Sequence, residues 1–136
     1  MKHIAYAALA CIGFFLVVGI ALSLKFAYDG WEVDRFYNQR PILQEMRSAK
    51  VAGGADGVGQ AGDALLARFP PGTEKVRLIL ALTQEGFQCG DLRQKWRCQL
   101  AAPAQHGGPT WWLIDFQFDD DDRLVTAVVT SYTTFI

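Results

Sequence analysis

Two cysteines in the second half of the chain have the spacing best suited to covalent chemistry. Cys89 and Cys98 lie close enough in sequence for a short chain reversal to bring their sulfur atoms together. A disulfide between them would close a loop of about ten residues and stabilise the fold by roughly 2 to 3 kcal/mol. The compact Cys-X-X-Cys spacing that lowers a thiol pKa in redox enzymes is absent. We therefore predict a structural disulfide.

Four successive aspartates at residues 119–122, with Asp115 nearby, form the main acidic cluster. Hard carboxylate oxygens are the ligands that Ca²⁺ prefers. An EF-hand loop carries glycine at its sixth position, but Leu124 stands there if Asp119 is taken as the first ligand. We predict a solvated turn at this cluster, and calcium binding is the alternative interpretation.

The remaining polar residues match no catalytic, metal or nucleotide motif. His106 is the only histidine beyond the start of the chain, which is too few for a zinc site. No serine lies in a nucleophile elbow, and the glycine-rich stretch at 51–59 lacks the preceding strand of a nucleotide fingerprint. A net charge of −1 without a run of Lys or Arg argues against nucleic acid as a partner. We predict a non-enzymatic protein with no catalytic residue, no metal and no cofactor.

The element that must position everything else is an uncharged apolar run at residues 4–24. As an α-helix with a rise of about 1.5 Å per residue, these residues would extend roughly 31 Å, which matches the hydrocarbon thickness of a bilayer. We interpret the run as a single transmembrane anchor, so the lipid bilayer is one predicted partner.

Three alternatives to an uncleaved anchor start from the same residues. A helix buried in a soluble protein usually keeps polar residues on one side, whereas apolar residues here surround the axis. A cleaved secretory signal is suggested by Lys2 and by the small residues at 21–23, but the run exceeds the usual signal core of about 7 to 15 residues. Thirdly, the residues before Cys11 resemble a lipoprotein acylation box, although Ala8 stands where the box has leucine.

Charge and cysteine content bear on the side of the membrane that the remaining chain occupies. More fixed cations follow the apolar run than precede it, and this bias alone weakly favours a cytoplasmic C-terminal side. However, long domains cross membranes largely regardless of charge, and an even pair of cysteines suits an oxidising compartment. We predict a single-pass protein of the inner (plasma) membrane, with its N-terminus in the cytoplasm and its C-terminal domain in the periplasm.

A juxtamembrane segment at residues 26–50 is rich in aromatic side chains. Aromatic rings just beyond an apolar span favour the headgroup layer, and partner binding is the alternative role of these rings. The candidate partner-binding residues of this segment are Trp31, Phe36 and Tyr37. We expect the anchor helix to continue as far as Pro41, which must break or restart it.

Composition divides the chain further. Ile42, Leu43 and Met46 form a narrow apolar stripe, which predicts a docked or surface-lying amphipathic segment. Residues 51–59 carry four glycines and no aromatic residue, which predicts a flexible linker. The predicted organisation is an anchor at 1–25, the juxtamembrane segment at 26–50, the linker at 51–59 and a small domain at 60–136.

The predicted domain begins with two short helices. Pro70, Pro71 and Gly72 must end the first helix, and Thr73 is a candidate N-cap for the second, in which Val76, Ile79, Leu80 and Thr83 recur at helical spacing. Gly86 is placed to end the second helix in a left-handed conformation, with Phe87 folding back as a hydrophobic contact.

Alternation of polar and apolar residues then predicts three strands, at about 95–100, 111–118 and 124–132. In the middle strand, Trp112, Ile114, Phe116 and Phe118 share one side, and Trp111 is a further candidate partner-binding residue. The fold class is therefore α+β: a transmembrane helix, a linker, and two short helices packed on a three-stranded antiparallel sheet.

Several local patterns occur in a distinctive order in the predicted domain. They are a Pro-Gly-Thr helix start at residues 71–73, a Gly-Phe helix exit at 86–87 followed by Cys89, a Trp-Arg-Cys strand at 96–98 and a closing hairpin. Residues 60–134 thereby resemble the BamE/SmpA-like small periplasmic fold. The resemblance implies an envelope protein that assists outer-membrane assembly or binds other proteins. Because the best-known members are lipoproteins, the helical anchor of this chain suggests an inner-membrane partner.

Two classes of function are compatible with these features. The first is a membrane-anchored periplasmic interaction module, an accessory subunit or assembly factor of an inner-membrane or envelope protein complex. The second is a periplasmic inhibitor or immunity-type protein that blocks a target enzyme, with the aspartates at 119–122 as an acidic plug.

Overall fold

The computed structural model describes residues 2–135, with side chains for residue 6 and residues 9–135. Its elements are α1 (Lys2–Asn38), α2 (Pro41–Ala52), a 3₁₀ turn (Gly54–Asp56), α3 (Gly57–Arg68), α4 (Lys75–Gln84), β1 (Gln88–Leu92), β2 (Lys95–Ala102), β3 (Thr110–Phe118) and β4 (Leu124–Thr133). The predicted α+β class is confirmed, but the numbers of helices and strands differ from the prediction.

Helix α1 contains the predicted anchor and continues well beyond it. Among the described residues, one helix is long and apolar enough to cross a membrane, over Leu9–Asn38, and its most apolar window is not buried against the rest of the protein. Within the predicted span of 4–24, the side chains of residues 4, 5, 7 and 8 lie outside the described part. The described apolar side chains from 9 to 24 are exposed.

The bend between α1 and α2 lies where the sequence predicted it. Helix α1 ends at Asn38, and Pro41 occupies the first turn of α2. Proline suits that position because it has no amide hydrogen to leave unpaired and its φ angle already fits a helix. The predicted apolar stripe of Ile42, Leu43 and Met46 is buried.

The glycine-rich stretch at 51–59 differs from the predicted flexible linker, because most of it is helical. It includes the end of α2, the 3₁₀ turn and the start of α3. A Cβ atom at Gly57 would overlap the carbonyl group of Lys50, so glycine permits a close packing of α3 on α2. Gly54 adopts a positive φ of 57° at the turn. The glycines serve a tight helix-to-helix reversal here.

The ends of α3 and α4 follow the predicted turn chemistry in part. Helix α3 ends at Arg68, before the two prolines. The prediction that Thr73 caps α4 is wrong: its hydroxyl donates to the carbonyl of Pro70 at 2.6 Å, and Glu74 is the residue that precedes the helix. The left-handed exit is confirmed, since Gly86 has φ of 96° and Phe87 is buried.

The sheet is a four-stranded antiparallel meander in the order β1-β2-β3-β4. The three predicted strands correspond to β2, β3 and β4. The additional strand, β1, is short and contains Gly90 and Asp91, which have low strand propensity, so its sequence lacks the alternation of a half-buried strand. It is held instead by pairing along β2, from Gln88↔Gln99 to Leu92↔Lys95.

One hydrophobic core joins the end of α1 to the sheet. Val33 and Tyr37 of α1 belong to the same buried cluster as Leu43 of α2, Leu82 of α4 and Trp112 of β3. The prediction of only two helices on the sheet is therefore incomplete, because α2 and the last turns of α1 also pack into this core. Residues between 33 and 46 thus share one core with the predicted small domain at 60–136.

Candidate functional site

Helices cover one face of the sheet, and the opposite face is open. Buried Trp112 and Ile114 alternate along β3 with Trp111 and Leu113. Because successive strand residues point to opposite faces, Trp111 and Leu113 lie on the uncovered side. Their register partners on β4 are Tyr132 and Thr130, and Val128 pairs with Asp115. We call the surface formed by Trp111, Leu113, Val128 and Tyr132 the open face.

The open face presents two exposed and two half-buried large side chains on adjacent strands. Val128 is 58% exposed and Tyr132 is 47% exposed, while Trp111 and Leu113 are half-buried. Trp111 lies directly opposite Tyr132, in a cross-strand pair of aromatic residues. Aromatic residues are enriched in protein interfaces and dominate their binding energy. The geometry suits contact with another protein, and it includes the predicted candidate Trp111.

A fixed ion pair lies next to the apolar part of the open face. Arg97 Nε donates to Asp115 Oδ1 at 2.6 Å, and Arg97 Nη2 donates to Oδ2 at 2.9 Å. Lys95 Nζ lies 3.6 Å from the same carboxylate. The hydrogen bonds from Arg97 lower the pKa of Asp115 against the opposing effect of partial burial, and the charges of Arg97 and Lys95 add to the lowering. The carboxylate is therefore ionised at neutral pH.

The three predicted partner-binding residues of α1 have different environments. Trp31 is exposed, with the guanidinium of Arg35 5.3 Å from its ring centroid. Phe36 packs against the edge of the core, and the guanidinium of Arg40 lies 3.6 Å from its ring centroid. Tyr37 is only 4% exposed, so its side chain is not on the surface that a partner would contact.

Tyr37 instead ties α1 to the sheet. Its hydroxyl oxygen accepts a hydrogen bond from Trp112 Nε1 at 3.0 Å, between two buried side chains. Helical periodicity explains its placement, because Val33 and Tyr37 are four residues apart and share the face of α1 that meets the core. Arg47 of α2 supports the same junction, with a 3.0 Å ion pair to Asp34.

Glu85 connects α4 to the start of α2. Its Oε1 atom accepts the amide of Ile42 at 2.7 Å, and Oε2 accepts the amide of Leu43 at 3.0 Å. A carboxylate is favourable there because the first amides of a helix have no partner within the helix and carry partial positive charge. The Glu85 carbonyl also accepts Arg40 Nε at 2.9 Å. These bonds fix the bend at the end of α1.

The aspartates at 119–122 lie in the turn between β3 and β4, as predicted. Asp119 Oδ1 accepts the amides of Asp121 and Arg123 at 3.0 and 2.9 Å, so this carboxylate closes the turn. Asp122 pairs with Lys75 at 3.7 Å. Among the side chains that the structure describes, no group of three His, Cys, Asp or Glu residues is arranged to hold a metal ion. The inhibitor hypothesis based on this acidic turn stays a prediction.

The predicted cysteine pair is brought together by strand register. Cys89 of β1 lies opposite Cys98 of β2, and the two sulfur atoms are at disulfide distance, 2.03 Å. Cys98 is buried, and Cys89 packs against the core. This cross-link joins the edge strand β1 to the rest of the sheet. Cys11, in the apolar part of α1, is free and exposed.

Comparison with known proteins gives no relative: no protein-family model, no curated protein and no solved structure matches this chain. The resemblance to the BamE/SmpA-like fold therefore stays a prediction.

Sequence reasoning missed Glu85, Val128 and Tyr132. The alternation that predicted β4 contained a signal for Val128 and Tyr132, since both lie on the side opposite buried Ala127 and Val129. Glu85 carried no such signal, because the amides that it accepts are more than 40 positions earlier in the chain.

Proposed function

We propose that this protein is a non-enzymatic, membrane-anchored interaction module, an accessory subunit or assembly factor of a membrane or envelope protein complex. The observation that carries the proposal is the open face. It presents an aromatic pair and an exposed valine on a sheet whose other face is already filled by helices. A surface of this kind fits a protein partner, since exposed apolar patches on small domains mark interaction sites.

The anchor part of the proposal rests on α1. Its apolar residues have no packing partner in the protein over the window that qualifies as a span, so lipid would be their solvent. The same helix then enters the domain core through Val33 and Tyr37. An anchor that continues into the core would present the domain to a neighbouring membrane protein in a restricted orientation.

The location of the domain is proposed from chemistry. A cross-linked pair, Cys89 and Cys98, suits an oxidising compartment. We propose a single-pass protein of the inner membrane with the domain in the periplasm, and a BamE/SmpA-like role in binding envelope proteins.

A photo-crosslinking amino acid at Val128 tests the proposed binding surface. Val76 on α4 is the matched control, because it is also an exposed valine, 77% accessible, but on the helical side. We expect irradiation of intact cells to give a discrete adduct from position 128 and none from position 76. Leu113→Glu, on the open face, should remove the adduct because it places a charge in the apolar contact.

Equal adducts from positions 128 and 76, or no adduct from position 128, would contradict the proposal. An adduct that survives Leu113→Glu would also contradict it, because the contact would then not involve the open face.

A further inference from the structure

The loop between β2 and β3 runs along α1 toward the apolar part of that helix. Its residue Gln105 lies against Gly30, with Nε2 3.4 Å from the position that a Cβ atom would occupy there. Farther along the loop, the ring of His106 meets the ring of Phe26 edge-on, with centroids 5.7 Å apart. The loop tip therefore reaches the level of Phe26.

The segment after β4 is fixed to the same loop. The amide of Gly108 donates to the carbonyl of Thr134 at 2.7 Å, and the amide of Thr134 donates to the carbonyl of Pro109 at 3.2 Å. Phe135 follows with its ring close to Gly107, and it is 88% exposed. Two segments that are distant in sequence thus place an exposed aromatic side chain beside the loop that contacts α1.

Helix geometry gives the position of the loop tip along the membrane normal. Phe26 lies two residues beyond the end of the apolar run at Leu24, so it is about 3 Å past the hydrocarbon boundary at 1.5 Å per residue. The headgroup region adds about 5 to 7 Å on each side of the hydrocarbon core. The loop tip beside Phe26 would therefore lie within the headgroup layer.

We propose that the exposed residues 105–107 and Phe135 form a second membrane contact, in which the Phe135 ring enters the boundary between headgroups and acyl chains. This inference rests on the proposed anchoring by α1. The occupant is a lipid surface, because the patch is continuous with the lipid-facing residues of α1 and its exposed aromatic ring suits the interface. The domain would then touch the bilayer beside its anchor.

Spin-label accessibility in reconstituted full-length protein tests this contact. Phe135→Cys and Val76→Cys, each combined with Cys11→Ser, would carry a nitroxide in vesicles of phosphatidylcholine and phosphatidylglycerol. Both positions are highly exposed, but Val76 is next to the β3–β4 turn, at the opposite end of the sheet from the loop. A third sample carries the label on native Cys11, within the apolar part of α1.

We expect the ratio of oxygen to nickel-complex collision rates to be several-fold higher at position 135 than at position 76, and highest at Cys11. A ratio at 135 equal to that at 76, with Cys11 embedded, would overturn the second contact and leave the anchor intact. A label at 135 shielded from both reagents would also overturn it, since another protein copy would then cover the patch. A water-exposed label at Cys11 would overturn the anchor and this inference together.

Discussion

At the level of single residues, Tyr37 shows how helix phase decides between core and surface. It belongs to a segment rich in aromatic residues, for which partner binding is one predicted role. In a helix, however, Tyr37 shares a face with Val33, and that face meets the sheet. The hydroxyl oxygen of Tyr37 then accepts a hydrogen bond from the buried indole N–H of Trp112. Tyr37 is better explained as a residue that joins the anchor helix to the core.

Tyr37→Phe is expected to destabilise the protein by about 1 to 3 kcal/mol, because it leaves the buried Trp112 N–H without its acceptor. Urea unfolding of the full chain in mild detergent measures the change. Tyr28→Phe is the matched control, since Tyr28 is exposed on the same helix and should change stability by less than about 0.5 kcal/mol. Equal effects of the two substitutions would contradict the role given to the Tyr37 hydroxyl.

Asp115 predicts a pH dependence. Its pKa is lower in the folded protein than in the unfolded chain, chiefly because Arg97 donates hydrogen bonds to the carboxylate. The carboxylate therefore stabilises the fold at neutral pH, and this contribution is lost as the pH falls through the lowered pKa. Thermal unfolding from neutral to acid pH should show a shallower stability loss for Asp115→Asn than for the unchanged protein.

Asp63→Asn, on the exposed side of α3, is the control for loss of one carboxylate elsewhere. If Asp115→Asn and Asp63→Asn gave the same dependence of melting temperature on pH, the ion pair between Arg97 and Asp115 would not stabilise the fold as described.

At the level of elements, the bend between α1 and α2 depends on the carboxylate of Glu85, the residue that follows α4. Glu85→Ala is expected to cost about 1 to 2 kcal/mol, because the first amides of α2 lose their acceptor and the favourable charge at the helix start. Hydrogen exchange should become faster at the amides of Ile42 and Leu43. The control is Glu45→Ala, which breaks an exposed ion pair with Arg68 and should cost at most about 1 kcal/mol.

Unchanged exchange at Ile42 and Leu43 in Glu85→Ala would contradict the capping role. In Glu45→Ala, by contrast, exchange at Ile42 and Leu43 is expected to stay unchanged, because Glu45 pairs with a side chain of α3.

Elements with a strong local signal were predictable, and elements held by distant contacts were not. Neighbouring residues alone were enough to predict the apolar run, the break at Pro41 and the alternation of β2 to β4. Strand β1 depends on its pairing with β2, and the stretch at 51–59 depends on the close approach of α3 to α2. On α4, Val76 and Leu80 recur at helical spacing but are exposed, whereas Leu78 and Leu82 are buried. In each of these elements, tertiary packing rather than local sequence determines the observed structure.

The candidate site shows the same division between local and distant information. Trp111 and the cysteine pair were identifiable from strand alternation and spacing. The open face as a whole required the register of β3 with β4, which brings Tyr132 opposite Trp111. The burial of Tyr37 also depends on distant information, because its hydrogen-bond partner, Trp112, is 75 positions away.

For the whole molecule, the central feature is that one helix contains both the exposed apolar run and residues of the domain core. A flexible tether would let the domain sample many orientations, whereas the structure has packed helices through residues 51–59 and the end of α1 inside the core. The open face would then have a restricted orientation relative to the bilayer. This arrangement suits an accessory subunit that meets a neighbouring membrane protein.

The most direct test of this account is peptide mapping of the protein that remains in membranes after an alkaline carbonate wash. We predict that the washed membranes retain a chain that still contains residues 4–24, because those residues are held by lipid. Recovery of the domain in the soluble fraction, with its chain starting near residue 24, would contradict the account, since the apolar run would then be a removed signal.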